Sequence, residues 1–310
     1  MSKRLTSSLA GLCVVGALLT GASVRVGTAQ SSRVVYVTAV DKKGAAVSDL
    51  EATEFEVKVG GKRLEVISAD PAQTPMRIAL LVGDAGTGGF QGGIANFIRK
   101  LTGRAEFLLM SVVVQPETIV DYSSDNGLLQ AGLRRLGPRG LERGAQMLEA
   151  LQDVSRHVRR EGTRPVIVVM RVGGEGSTTL SGQVVREQLR KSSAILYVIS
   201  TVGAQRAAPS QARQGLSAEQ VQLRDDEAVE SARSLGLVLG DGSRESGGRH
   251  EPIMSTTLIP TLERLADELL TQYALTCVLP DGVKPTDKLS VASKRKGVTI
   301  RAASRLPGAF

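Results

Sequence analysis

The sequence predicts an α/β fold built on a doubly wound, mostly parallel sheet, flanked by β segments at the two ends of the chain, and three observations lead there. Strand-like runs at 77–82, 105–114, 165–170 and 194–200 alternate with helix-like runs near 92–101, 125–136, 142–160, 181–192 and 255–272. That alternation is the pattern of a sheet covered by helices on both faces. Val166-Ile-Val-Val-Met170 and Ala194-Ile-Leu-Tyr-Val-Ile-Ser200 are continuous apolar runs rich in β-branched residues, as buried parallel strands require. Outside 73–272 the period returns to two, first at 34–67 and again at 273–302.

The elements follow in order. Lys3 and Arg4 precede an apolar run from Leu9 to Leu19, and Gly27-Thr28-Ala29 offers small residues for cleavage after Ala29. This layout predicts a signal peptide over 1–29 and an exported, periplasmic or secreted, chain with no membrane span once it is removed. An N-terminal β module follows over 30–72. Phe55–Val59 and Arg63–Ile67 alternate around Gly60-Gly61, which reads as a hairpin.

The α/β domain is expected over 73–272. Within it, Thr118–Tyr122 is a candidate antiparallel edge strand beside 105–114. Residues 203–250 break the rhythm with Gln, Arg, Ser and Gly around a helix at 217–235, and Gly240–Gly248 reads as a mobile loop. The segment 273–310 is again β. Strands at the two ends of a chain can complete one small sandwich when the domain between them returns its termini close together.

Composition narrows function. Cleavage would remove Cys13 and leave Cys277 alone, in the apolar stretch 273–279, so a buried structural thiol is expected. The formal charge of +8 falls to +5 when Lys3, Arg4 and Arg25 leave. Lys284, Lys288, Lys294, Arg295, Lys296, Arg301 and Arg305 then make the C-terminal segment the basic end, a solvated strand surface or a contact for an anionic polymer. No Trp and 3% aromatics leave few stacking platforms, so no nucleic-acid partner is expected.

The most informative stretch is Arg77-Ile-Ala-Leu-Leu-Val-Gly-Asp-Ala-Gly-Thr-Gly-Gly89, an apolar strand ending at an acidic residue in a glycine-rich loop. As a P-loop it lacks the lysine and hydroxyl, because Gly89 and Phe90 stand in their places. As a dinucleotide fingerprint it has Gln91 where the third glycine belongs. Asp84 itself reads as a turn and helix-capping carboxylate. His157 sits on a charged helix, His250 lies in a loop without metalloprotease spacing, and no Gly-x-Ser-x-Gly elbow exists. Catalysis is therefore not expected, and neither is a cofactor.

Asp84-Ala-Gly-Thr-Gly88 resembles the first metal-binding loop, Asp-x-Ser-x-Ser, of von Willebrand factor A (vWA) domains, with both serines replaced by glycine. Val47–Ile67 and the region Gly247-Gly-Arg249 with Leu262–Leu275 are similar to the leader and closing region of exported vWA-related proteins of acidobacteria. The resemblance implies a vWA-type α/β domain acting as a non-catalytic protein-binding or scaffolding module at the cell envelope. It also implies a degenerate metal site. Gly137-Pro-Arg-Gly140 offers no hydroxyl where the family has a threonine, and Val172 holds the aspartate position of the third loop.

The expected partner-binding residues are Asp84, Thr87, Arg139 and Arg171, with an Asp84–Arg171 ion pair in place of the metal. A weak cation site on Asp84 and Thr87 is the alternative within this reading. A hydrolase or metal-dependent enzyme with its site in 203–250, and an envelope protein binding anionic polymer, are the alternatives outside it.

Overall fold

The computed structural model describes residues 32–84, 89–113, 115–136, 146–172, 177–201, 217–279, 282–284 and 287–306. The signal segment lies outside them. In chain order the strands are β1 (Ser32–Val40), β2 (Phe55–Val59), β3 (Lys62–Pro71), β4 (Met76–Gly83), β5 (Ala105–Val112), β6 (Pro116–Ser123) and β7 (Arg164–Val172). β8 (Ile195–Thr201), β9 (Arg249–Ile253), β10 (Tyr273–Val278), β11 (Leu289–Ser293) and β12 (Thr299–Ala302) complete them. The principal helices are α1 (Gln91–Lys100), α2 (Asn126–Arg135), α3 (Met147–His157), α4 (Gly182–Ser192), α5 (Ala218–Leu235) and α6 (Leu258–Leu270).

Six strands form the central sheet in the order β6-β5-β4-β7-β8-β9. All neighbours are parallel except β6, the antiparallel edge expected from Thr118–Tyr122. Counted from β4, this is the doubly wound order, which reverses direction between its first and fourth strands. Both faces are buried, which is why the strands carry apolar residues without alternation. On one face Ile78, Leu80 and Val168 pack under α1, α2 and α6 through Ile94, Phe97, Leu133, Leu262 and Leu265. On the other, Leu81, Val169 and Leu196 pack under α3 and α4 through Leu148, Leu151, Val185 and Leu189. Full burial of each such side chain stabilises by about 1.5–3 kcal/mol.

The two ends of the chain meet in a second sheet, antiparallel, in the order β11-β2-β3-β10-β1-β12. Gly60 and Gly61, at φ of +57° and +82°, form the two-residue turn of the β2–β3 hairpin, both in the left-handed region that a primed turn demands. β3 then changes neighbours: Lys62–Leu64 pair with β2, and Glu65–Pro71 pair with β10. Val35, Val37, Phe55, Val57, Leu275 and Cys277 share one core, in which the Phe55 and Tyr273 rings meet edge to face at 5.3 Å. Cys277 is fully buried and its thiol is pushed up to about 11, the inert structural group expected.

Two expectations for the 203–250 region are corrected. Gly240–Gly248 is not a loop throughout. α5 continues through a π-helical stretch, Gly236–Gly242, into the helical turn Ser243–Glu245. Packing overrides the glycine content here: Val238 and Leu239 are buried in the core, and a Cβ on Gly182 would lie 2.9 Å from Ser234 backbone atoms. His250 does not lie in a loop but on β9, paired with β8 through Val198. Residues 202–216 lie outside the described residues.

The amino ends of the parallel strands abut the terminal sheet, and buried polar groups join them. Arg164, 1% exposed at the start of β7, donates to the carbonyl oxygens of Thr74 (2.9 Å), Ala72 (3.4 Å) and Leu269 (3.3 Å) and to Gln272 Oε1 (2.6 Å). Gln272 Nε2 in turn donates to Thr38 Oγ1 of β1 at 3.1 Å. Glu268 of α6, also 1% exposed, accepts from Arg249 of β9 and Arg301 of β12. Arg301 and Arg295, the latter held by Asp49 and Glu54, are thus engaged within the fold, so the C-terminal segment presents less free charge than its composition suggests.

Candidate interaction site at the carboxyl end of the parallel sheet

The order of the sheet reverses between β4 and β7, and their carboxyl ends open the crevice where such folds place ligands. β4 terminates at Gly83, paired with Arg171 of β7. Gly83 sits close to its neighbours: a Cβ there would lie 3.2 Å from Met147 Cε and 3.5 Å from Arg171 Cβ. Gly83 and Arg171 therefore share the α3/α4 face. Side chains alternate along a strand, so the next positions, Asp84 and Val172, belong to the opposite face. Val172 confirms the alternation by packing against the core cluster beneath α1 and α6.

This register bears on three sequence expectations. Asp84, only 6% exposed, stands at the crevice as anticipated. It is not a helix cap, because the N-cap of α1 is Phe90. Arg171, on β7, and Asp84, one residue beyond the end of β4, each hold interactions within the fold. Thr87 and Arg139 lie outside the described residues.

Of the three loops that the vWA resemblance would use to hold a divalent cation, the described residues include Asp84 of the first and Arg171 and Val172 of the third. A hard cation wants about six oxygens in a compact cage. Val172, whose apolar side chain is partly buried against the core, stands at the position that the resemblance gives to the aspartate of the third loop. Among the described residues no three His, Cys, Asp or Glu side chains come together as a metal site.

On the α3/α4 face the structure assembles a cluster that sequence reasoning missed. Arg171 pairs in register with Ser200 of β8, and Ser200 Oγ lies 2.9 Å from His250 Nε2. Burial, and then the Arg171 cation, hold the imidazole below its ordinary value of 6.5, so it is neutral at neutral pH. Burial likewise lowers the Arg171 pKa. The result is a guanidinium and a hydroxyl near the carboxyl ends of β7 and β8, with a neutral imidazole reaching the hydroxyl from near the start of β9. Among the described residues no carboxylate is hydrogen-bonded to His250, so the pair lacks the orienting member of a catalytic triad. Fifty positions separate Ser200 from His250. With β9 unread, nothing in the sequence joined them.

No protein-family model matches the chain, and no curated protein matches it. Among solved structures, the chain is similar to proximal thread matrix protein 1 from the mussel byssus with a zinc-occupied MIDAS motif, at 13% identity and a TM-score of 0.44 over 66% of this chain. It spans 48% of that chain, about half its length. It is also similar to the SpRpn10 VWA domain, at 10% identity and a TM-score of 0.40, covering 61% of this chain and 95% of that one. A third similarity is to the conserved hypothetical protein BatB from Bacteroides thetaiotaomicron, at 13% identity and a TM-score of 0.40, covering 62% and 97%.

Proposed function

We propose that the chain is an exported, non-catalytic interaction module of the vWA type, which binds a protein partner through the carboxyl-end loops of its parallel sheet without a bridging cation. The observation that carries the reading is Val172: an apolar side chain, partly buried against the core, stands where the resemblance would put an oxygen ligand. The doubly wound order with an antiparallel edge supports the fold type, and Asp84 at the end of β4 supports the location. Arg171, Ser200 and His250 add hydrogen-bonding chemistry to the same end of the sheet. Among the described residues no helix is long and apolar enough to cross a membrane.

Two measurements test this. Titration of Mg²⁺ or Mn²⁺ into the purified protein should give no saturable isotherm; one that is abolished by Asp84→Ala overturns the cation-free reading. Affinity capture from envelope extract should lose its specific partner when Arg171→Glu and Asp84→Ala are combined. Ester or peptide hydrolysis lost in Ser200→Ala would overturn the non-catalytic reading.

A further inference from the structure

The chain has two histidines, and the fold uses them differently. His157 turns back on its own helix, with Nδ1 3.0 Å from the Asp153 carbonyl oxygen. His250 reaches from β9 across to β8, where its Nε2 lies 2.9 Å from Ser200 Oγ. Ser200 is half-buried and His250 exposed, so both present surface to solvent among the described residues. Ser200 is also the register partner of Arg171 on the neighbouring strand, about 4.8 Å away, with both side chains on the α3/α4 face.

These placements set the chemistry of the pair. In the tautomer protonated at Nδ1, His250 Nε2 accepts the hydroxyl proton of Ser200, the relation of nucleophile to base in acyl transfer. Burial, and then the Arg171 cation, keep the imidazole neutral, so the acceptor is present at neutral pH. The other charged groups around β9 are engaged elsewhere. Arg249 and Glu251 bond Glu268 and Arg264 of α6, Asp241 of the π-helical stretch is paired with Arg244, and Glu245 is held by Arg186 and Arg190. An oxyanion developing beside Ser200 Oγ would lie in the field of the Arg171 guanidinium.

We propose that Ser200 is an activated hydroxyl that accepts one acyl group from an activated donor, a thioester or an aryl ester. Ser200 Oγ bonds to the donor's carbonyl carbon while its proton passes to His250 Nε2. The bond from that carbon to the leaving group then breaks, and the departing thiol or alcohol takes the proton from His250. The products are a serine ester and a neutral imidazole. A serine ester is a far poorer electrophile than the donor, and no carboxylate among the described residues orients His250 for a second step, so the acyl group stays where it is placed. The site is an acceptor and not a turnover centre; it goes beyond the interaction reading and does not depend on it.

Labelling of the full chain with an alkyl fluorophosphonate, which joins a nucleophilic serine with loss of fluoride, tests the proposal, the adduct being located by peptide mass spectrometry. One adduct is expected, at Ser200, formed at least about tenfold faster than at any other serine, and the preference should vanish in urea. His250→Gln, with its fold checked by circular dichroism, should slow labelling at least about tenfold, the low side of general-base assistance. Because the folded imidazole titrates below 6.5, the rate should stay level from about pH 8 to 6.5 and fall as the imidazole protonates below that, whereas an unassisted hydroxyl slows throughout. With p-nitrophenyl acetate, the release that Ser200→Ala abolishes should amount to one equivalent. No adduct at Ser200, labelling there no faster than at other serines, or an undiminished rate in folded His250→Gln would each overturn the proposal. Release that runs past one equivalent and is lost in Ser200→Ala would overturn both the single-acceptor claim and the non-catalytic reading, whereas failure of the labelling alone leaves partner capture as the separate test of that reading.

Discussion

The two ends of the parallel sheet are built on opposite principles. At the amino end the sheet meets the terminal β strands through buried polar groups whose partners come from distant parts of the chain. Arg164 alone ties β7 to the 72–74 linker and to the end of α6, and Glu268 ties α6 to β9 and β12. At the carboxyl end Asp84 is buried, but Arg171 and Ser200 are half-buried, His250 is exposed, and Met254, just after β9, is 63% exposed. Buried polar groups must be satisfied, so the first arrangement is rigid and intolerant of change. The second leaves several side chains partly exposed at the end where the proposed interaction would take place.

The largest expected effect is at Arg164. Arg164→Ala leaves the Thr74 and Leu269 carbonyl oxygens and the Gln272 amide oxygen without the bonds it donates in a buried junction, while Ala72 keeps its bond from Arg104. Each orphaned acceptor costs about 1–3 kcal/mol, so equilibrium unfolding in urea should show a loss of roughly 3 kcal/mol or more. Met254→Ser, at the other end, should stay within about 0.5 kcal/mol. Equal losses would erase the distinction between the ends.

Glycines sharpen it further. A Cβ on Gly248, at the start of β9, would lie 2.0 Å from the Leu196 carbonyl oxygen, and backbone cannot give way cheaply. Gly248→Ala should cost about 2–3 kcal/mol. Gly83→Ala at the carboxyl end meets first the flexible end of Met147 and should cost about 1 kcal/mol or less. A thermal melt of each variant reads the difference.

A smaller effect separates the ends by pH. Because the folded His250 has a lowered pKa, the unfolded chain takes up its proton first as pH falls below 6.5. The stability associated with the neutral imidazole is present above that pH and is lost as pH drops through the folded value. The change should be under about 1 kcal/mol, since the side chain is partly exposed and solvent screens it. His250→Gln should flatten this part of the stability profile between pH 7 and 5. A profile unchanged by the substitution would remove His250 from the electrostatics of this end. The smallest perturbation concerns Cys277: a thiol reagent at neutral pH should modify it only after unfolding, because burial holds the thiol protonated.

Much of the fold is legible in the chain because hydrophobic period is a local property. The continuous runs of β4, β7 and β8, the edge strand β6 and the Gly60-Gly61 turn all announce themselves. β9 does not. Arg249-His-Glu-Pro-Ile253 is an edge strand with one deeply buried apolar side chain, Ile253, and a proline, so neither alternation nor an apolar run marks it. The π-helical stretch is hidden for the opposite reason: Gly236, Gly240 and Gly242 read as a loop, and only packing against α4 makes the segment helical. At the candidate site the sequence identifies Asp84, the glycine-rich loop and the missing ligands around it. The Arg171–Ser200–His250 cluster depends on the register of three strands and cannot be seen from spacing.

The sequence by itself thus determines most of the strands and helices, that two β ends frame an α/β core, and that glycine stands at both serine positions of the vWA loop which 84–88 resembles. Only the tertiary structure decides which face each strand residue takes. It also decides that Arg164 and Glu268 are buried structural groups and that the half-buried Arg301 is tied to Glu268. The physical reason is that periodicity and turn chemistry are set by neighbours in the chain, whereas a polar residue's burial and partners are set by groups brought to it from elsewhere.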